Sequence, residues 1–72
     1  MMKTYIKLQF RAEGMSPLEV IKLVRKVGFV PVVGQYDFAI EYEKADDFAR
    51  IVTELHRILR GTRVRYELMT EE

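Results

Sequence analysis

Residues 29–42 decide the fold, and they read Phe29-Val30-Pro31-Val32-Val33-Gly34-Gln35-Tyr36-Asp37-Phe38-Ala39-Ile40-Glu41-Tyr42. Two apolar runs flank a glycine-containing bend at Gly34-Gln35, a pattern typical of a β-hairpin. Pro31 has no N–H to donate to a neighbouring strand. The first run, residues 29–33, is therefore predicted to lie at the edge of a sheet.

The second run of the hairpin, residues 36–43, alternates in polarity and predicts a half-buried strand. We expect three of its side chains to point inward: Phe38, Ile40 and Tyr42. The side chains expected to point outward are Asp37, Ala39, Glu41 and Glu43.

An amphipathic helix is predicted on each side of the hairpin. Ser16 and Glu19 form a Ser-x-x-Glu capping box with Pro17 at the first helical position, and Gly28 follows as the C′ glycine. This pattern predicts a helix over residues 17–27, with apolar positions at Leu18, Val20, Ile21, Val24 and Val27. A second helix is predicted from about Asp46 to Arg60, before Gly61, with a stripe of Phe48, Ile51, Val52, Leu55 and Leu59.

Two further alternating stretches complete the domain. Residues 3–11 predict a strand with Ile6, Leu8 and Phe10 inward, and residues 62–69 predict one with Val64, Tyr66 and Leu68 inward. The order is βαββαβ, which predicts one ferredoxin-like α+β domain over residues 1–72 with a four-stranded antiparallel sheet. Right-handed crossovers place the first and third strands in the centre and both helices on one face, so the other face is open to solvent or a partner.

Composition excludes several classes of protein. Twelve Lys and Arg against eleven Asp and Glu give a net charge of +1, too balanced to indicate nucleic acid or an anionic membrane as partner. The chain has no cysteine, which excludes a disulfide framework and a thiolate metal site. Because lysines interrupt the N-terminal stretch and no apolar run has the length of a membrane span, we expect a soluble, cytoplasmic protein.

No catalytic constellation is predicted. His56 is the only histidine and lies off the apolar stripe of its helix, and the single serine, Ser16, already serves as a helix cap. The carboxylates of Asp37, Glu41 and Glu43 are expected to form a solvated face beside Lys7 and Arg11 rather than a metal site. We therefore predict no enzyme activity, no cofactor and no metal.

Four arginines form a basic cluster: Arg57, Arg60, Arg63 and Arg65. Such a cluster could bind phosphate or carboxylate groups near Gly61-Thr62, or it could simply compensate the dipole at a helix C-terminus. RNA or single-stranded DNA binding is a further alternative, because some ferredoxin-like domains stack bases on aromatic side chains of their central strands. The acidic character predicted for the outward face of residues 36–43 speaks against it.

The segment Gly34-Gln35-Tyr36-Asp37, followed by an apolar strand, resembles the Gly-x-Tyr-Asp hairpin of the effector-binding (RAM) domain of Lrp/AsnC transcription regulators. The order and length of the second helix and last strand are similar as well. This resemblance implies a RAM/ACT-like regulatory domain without its own helix-turn-helix, and so without direct DNA binding.

The resemblance also implies partners and a site. It implies homodimers formed through the open sheet faces, assembly into rings, an amino-acid effector between dimers, and co-assembly with full-length Lrp/AsnC regulators. Gly34, Gln35, Tyr36 and Asp37 are the implied ligand-binding residues, with Asp37 accepting a hydrogen bond from the effector's ammonium group. Two alternatives remain open: a pure oligomerisation module without a ligand, and a structural role for Gly34 and Asp37 in the turn itself.

Overall fold

The computed structural model describes residues 1–71 and has the predicted βαββαβ order. Its elements are β1 (Met2–Gln9), α1 (Pro17–Val27), β2 (Val30–Pro31), β3 (Phe38–Tyr42), α2 (Ala45–Leu59) and β4 (Arg65–Glu71). The strands form one antiparallel sheet in the order β2-β3-β1-β4. The predicted ferredoxin-like architecture, with Pro31 on an edge strand, is confirmed.

The core lies between the two helices and one face of the sheet. It contains the following buried apolar side chains: Ile6, Leu8, Val20, Val24, Phe29, Phe38, Tyr42, Ile51, Leu55 and Leu59. Thr4 is buried among them, and its hydroxyl lies 2.8 Å from the Tyr42 hydroxyl and 2.9 Å from that of Thr70. These partners satisfy the buried hydroxyl and fix the three strands relative to one another.

Helix α1 begins at Pro17, as its sequence predicts, with the Ser16 half of the predicted capping box formed. The Ser16 side chain accepts a hydrogen bond from the backbone N–H of Glu19, and Gly28 adopts φ +120° immediately after the last turn. The predicted apolar stripe is wrong at one position, since Leu18 is 74% exposed. Val20 and Val24 form the buried face of α1. Residues spaced by four lie on the same side of a helix, and Leu18, in the first turn, lies on a different side.

The first and last strands of the chain differ from their predicted bounds. β1 ends at Gln9, so Phe10, predicted to point inward, lies beyond the strand and is 40% exposed. β4 begins at Arg65 rather than residue 62. The intervening residues form a loop in which Thr62 is buried and its carbonyl accepts a hydrogen bond from the N–H of Met15, 3.0 Å away.

The central hairpin is looser than predicted. Residues 29–33 were expected to form a strand, but β2 contains only Val30 and Pro31, and Val33 is fully exposed. The bend is not a two-residue turn at Gly34-Gln35 but a loop over residues 32–37, which we call the hairpin loop. The pairing with the first run ends at Asp37, whose carbonyl accepts a hydrogen bond from the N–H of Val32 at 3.1 Å while its own N–H and its carboxylate bind β1.

Candidate functional site: the hairpin loop and the open sheet face

The tip of the hairpin loop projects away from the body of the domain. Gly34 has φ +122°, a conformation that side-chain-bearing residues rarely adopt, and a Cβ at this position would meet no atom within 4 Å. Gln35 is exposed beside it. Glycine is therefore favoured at position 34 by the backbone conformation and not by a close neighbour, because the space around Gly34 is open.

Asp37 closes the base of the loop against β1. Its backbone N–H donates to the carbonyl of Ile6 at 2.9 Å, and its Oδ2 accepts from the backbone N–H of Leu8 at 2.7 Å. The carboxylate thus accepts the hydrogen bond from Leu8 that a backbone carbonyl of a neighbouring strand would otherwise accept. The Asp37 carbonyl also accepts a hydrogen bond from the N–H of Val32 across the loop, at 3.1 Å. The structure therefore gives Asp37 a structural role, through its side chain at β1 and through its backbone at the base of the loop.

Tyr36 leaves the loop in a different direction and lies over the sheet face opposite the helices. Its ring centroid is 5.4 Å from that of Tyr5, and its hydroxyl lies 3.3 Å from the sulfur of Met69. Tyr36 and Asp37 are therefore adjacent in sequence but do not converge on one point: the first covers the sheet, and the second binds the end of β1.

The sheet face that carries Tyr36, here called the open face, has an apolar stripe that crosses the strands. Strand pairing places Val30 beside Ala39, Ala39 beside Tyr5, and Tyr5 beside Met69. Rows of charged side chains border the stripe. Their members, read from the strand register, are Lys3, Lys7, Glu41, Arg65, Glu67 and Glu71.

Ala39 was predicted to point outward to solvent, but it is only 1% exposed. It does lie on the open face, since it is paired with both Tyr5 and Val30. Its small side chain is surrounded by larger neighbours on the adjacent strands. Sequence alternation gave the direction of this side chain correctly and its exposure incorrectly.

Few of the charges on the open face are engaged within the chain. The Tyr5 hydroxyl donates to the Glu71 carboxylate at 2.9 Å, and the Lys3 ammonium lies 5.2 Å from the centre of the Tyr5 ring. Among residues 1–71, the salt bridges join Arg11 to Glu13, Arg50 to Asp47 and Arg57 to Glu54, and none lies on this face.

The predicted arginine cluster is divided by the structure. Arg57 binds Glu54 one turn earlier on α2, and the hydrogen bond from its guanidinium lowers the pKa of the Glu54 carboxyl below its ordinary value. Arg60, Arg63 and Arg65 are exposed and spread from the end of α2 into β4. His56 is exposed on the outer surface of α2, as its position in the sequence predicted.

Two surface grooves lie near these features. One, of about 270 Å³, runs along the β2 side of the open face between Lys3, Val30, Ala39 and Glu41. The other, of about 440 Å³, is bordered by the β1–α1 connection from Phe10 to Pro17. Neither brings together three His, Cys, Asp or Glu side chains able to hold a metal ion, and no such group occurs elsewhere in residues 1–71.

Neither helix described within residues 1–71 has the length and apolar character needed to cross a membrane. Comparison of the sequence with models of known protein families finds no matching family, and comparison with curated proteins finds no matching relative. The resemblance to the RAM domain therefore stays a prediction, based on the Gly34–Asp37 segment and the order of the elements.

Proposed function

We propose that this chain is a cytoplasmic regulatory module that self-associates through its open face and binds an amino acid or related metabolite beside the hairpin loop. In this proposal it acts with full-length Lrp/AsnC-type regulators. The observation that carries the proposal is the position of Tyr36, which links the hairpin loop to the apolar stripe of the open face. A ligand bound near the loop would thereby affect the surface through which two copies associate.

The apolar stripe supports self-association. Tyr5, Tyr36 and Met69 lie together on the face that no helix covers, and Met69 is 38% exposed. Aromatic and methionine side chains surrounded by a charged rim are the composition expected at the centre of a protein interface. A domain of this size also buries a smaller fraction of its chain's surface than larger domains do, about 60%, so association would add stability.

The charges around the stripe are self-complementary. Lys3 lies beside Glu71 and Lys7 beside Glu67, with the lysines on β1 and the glutamates on β4. A two-fold axis parallel to the strands and between β1 and β4 would place each lysine opposite a glutamate of the second copy. The same axis would place Tyr5 opposite Met69, so one symmetry operation satisfies both the charges and the apolar stripe.

The hairpin loop supports the effector half of the proposal. Gln35 offers an amide, Tyr36 a hydroxyl and Gly34 an unobstructed backbone, and such groups can bind the polar ends of a small metabolite. Asp37 remains exposed as a residue although one carboxylate oxygen binds Leu8. To accept a hydrogen bond from an ammonium group, the Asp37 carboxylate would also have to keep its bond to Leu8 of β1.

A charge-swap series tests self-association. We expect size-exclusion chromatography with light scattering to give a dimer or a larger assembly built from it, and Lys7→Glu to weaken the open-face contact by at least about tenfold, equivalent to about 1.4 kcal/mol. The double variant Lys7→Glu/Glu67→Lys should restore the dimer. Lys22→Glu, the same charge change on the exposed surface of α1, is the matched control. A monomer at all concentrations would contradict the proposal.

Calorimetric titration and thermal-shift scans with the twenty amino acids test the effector. We expect at least one to bind, and Tyr36→Phe and Gln35→Ala to weaken that binding while the fold is retained. Asp37 variants are less informative because they also remove the contact with Leu8. If no amino acid binds but the dimer persists, the alternative function is favoured: an oligomerisation module whose hairpin is purely structural, as the use of Asp37 within the chain already suggests.

A further inference from the structure

The two edges of the sheet are built differently. The β2 edge contains only two paired residues, one of them Pro31, which cannot donate a hydrogen bond. The β4 edge contains seven residues, Arg65–Glu71, with no proline, and β4 pairs only with β1. Natural proteins usually shorten, cover or interrupt such an edge, because its free N–H and C=O groups invite another strand.

Side-chain burial shows that β4 is also incompletely covered on its inner face. Tyr66 and Leu68 point toward the helices, yet both are only half-buried, and no residue of β4 is fully buried. The equivalent positions on the central strand β1, Ile6 and Leu8, are buried. A strand added beyond β4 would complete the covering of Tyr66 and Leu68.

The sequence of β4 selects one way of pairing with a copy of itself. For two sheets related by a two-fold axis perpendicular to them, directly opposite residues must share a face, so the axis must lie level with a residue rather than between two. An axis at Glu67 would place Glu67 opposite itself. An axis at Met69 would place Glu67 opposite Glu71, which is again a like-charge pair and is destabilising.

An axis at Leu68 removes both conflicts. It pairs all seven residues of β4, places Arg65 opposite Glu71 twice, and places Leu68 opposite Leu68 on the inner face. Opposite charges and apolar pairs at directly facing positions are the stabilising combinations of an antiparallel ladder. The longest register is therefore also the one with complementary charges.

We propose that β4 is a self-pairing edge: two copies join antiparallel about Leu68 and form one continuous eight-stranded sheet. This contact is made by the backbone edge of β4, whereas the open-face contact is made by side chains above the sheet; Arg65 and Glu71 border both. Its partner is a second copy of the chain, because β4 is complementary to itself: Arg65 and Glu71 at its two ends face each other in this register.

Disulfide trapping tests the register, and the absence of cysteine from the chain leaves no competing thiol. Residues directly opposite in an antiparallel pair have Cα atoms about 4.5–5.5 Å apart, within the range of a disulfide. In the proposed register Glu67 faces Met69 of the second copy. A mixture of Glu67→Cys and Met69→Cys should therefore form disulfide-linked dimers under mild oxidation, and either variant alone should form few.

Each other outcome overturns the proposal. Dominant linkage of Glu67→Cys to itself would indicate an axis at Glu67, dominant linkage of Met69→Cys to itself would indicate an axis at Met69, and no linkage would mean that β4 does not pair. Thermal unfolding of both variants checks that they fold.

A charge test separates this contact from the open-face dimer. We expect Arg65→Glu to reduce trapping at least about fivefold and Arg65→Glu/Glu71→Arg to restore it, whereas Arg60→Glu, outside β4, should have no effect. Lys7→Glu should disrupt the open-face contact and leave trapping unchanged. Trapping that is insensitive to Arg65→Glu would contradict the proposed register.

Discussion

The hairpin loop (residues 32–37) and the loop between α2 and β4 (residues 60–64) both contain a glycine with positive φ, yet they are held in different ways. Thr62, in the second loop, is buried, and Gly14 of the neighbouring β1–α1 connection packs against its carbonyl. The hairpin loop is attached at its base through Asp37 and is open at its tip.

This difference separates a loop that stabilises the fold from one that is free to bind. A loop with few packed contacts opens locally at low free-energy cost, and binding segments are usually of this kind. The loop between α2 and β4 joins two connections that are distant in sequence. Substitutions in it should be costly, and substitutions at the tip of the hairpin loop should not.

The largest effect is expected for Gly14→Ala. The new Cβ would lie 2.7 Å from the backbone carbonyl oxygen of Thr62, so the two connections would have to move apart and the hydrogen bond from Met15 to Thr62 would lengthen. Overpacking of this kind costs about 2 kcal/mol, or roughly 10 °C in Tm for a domain of this size. Denaturant unfolding and calorimetry measure it.

Gly61→Ala is the matched control for that prediction. Gly61 has φ +82° but no atom within 4 Å of a Cβ, so the substitution adds backbone strain without a collision. We expect a loss of about 1 kcal/mol. If the Gly14→Ala variant were no less stable than Gly61→Ala, the β1–α1 and α2–β4 connections would not be in close contact.

An intermediate effect is expected at the base of the hairpin loop. Asp37→Ala would leave the partly buried N–H of Leu8 without its acceptor, which costs about 1–2 kcal/mol. Asp37→Asn keeps a side-chain oxygen and should recover most of that loss. Denaturant unfolding gives the stability, and hydrogen exchange at the Leu8 amide should become faster in the alanine variant alone. Equal exchange in both variants would contradict the assigned contact.

The sequence predicts those parts of the structure that depend on neighbours along the chain. The bounds of α1 follow from Ser16, Pro17 and Gly28, all within one turn of the helix ends. The order of the strands follows from Pro31 and from the handedness of the crossovers. These signals are local or topological, and tertiary contacts do not alter what they predict.

The features that the sequence did not predict depend on contacts between distant residues. The base of the hairpin loop is held by a hydrogen bond between Asp37 and Leu8, which are 29 positions apart, and no periodicity reports such a bond. The burial of Ala39 depends on its neighbours on two other strands, and the position of Tyr36 on its contacts with Tyr5 and Met69. The candidate site is therefore less predictable than the fold, since it is formed by the segment whose path was predicted least well.

The smallest effect on the isolated chain is expected for Val33→Lys at the open side of the hairpin loop. Val33 is fully exposed, so its replacement should change the free energy of unfolding by less than about 0.5 kcal/mol in dilute protein. An exposed β-branched apolar side chain next to the proposed ligand site gains contacts only if a second copy or an effector covers it. We therefore expect Val33→Lys to reduce the rise of Tm with protein concentration that accompanies self-association, because only the associated state would bury this position.

Thr53→Lys, on the exposed side of α2, is the matched control and should leave that rise intact. A dilute Val33→Lys variant as unstable as Asp37→Ala would mean that the tip is packed like the base, and an unaltered concentration dependence would mean that the tip remains in solvent after assembly.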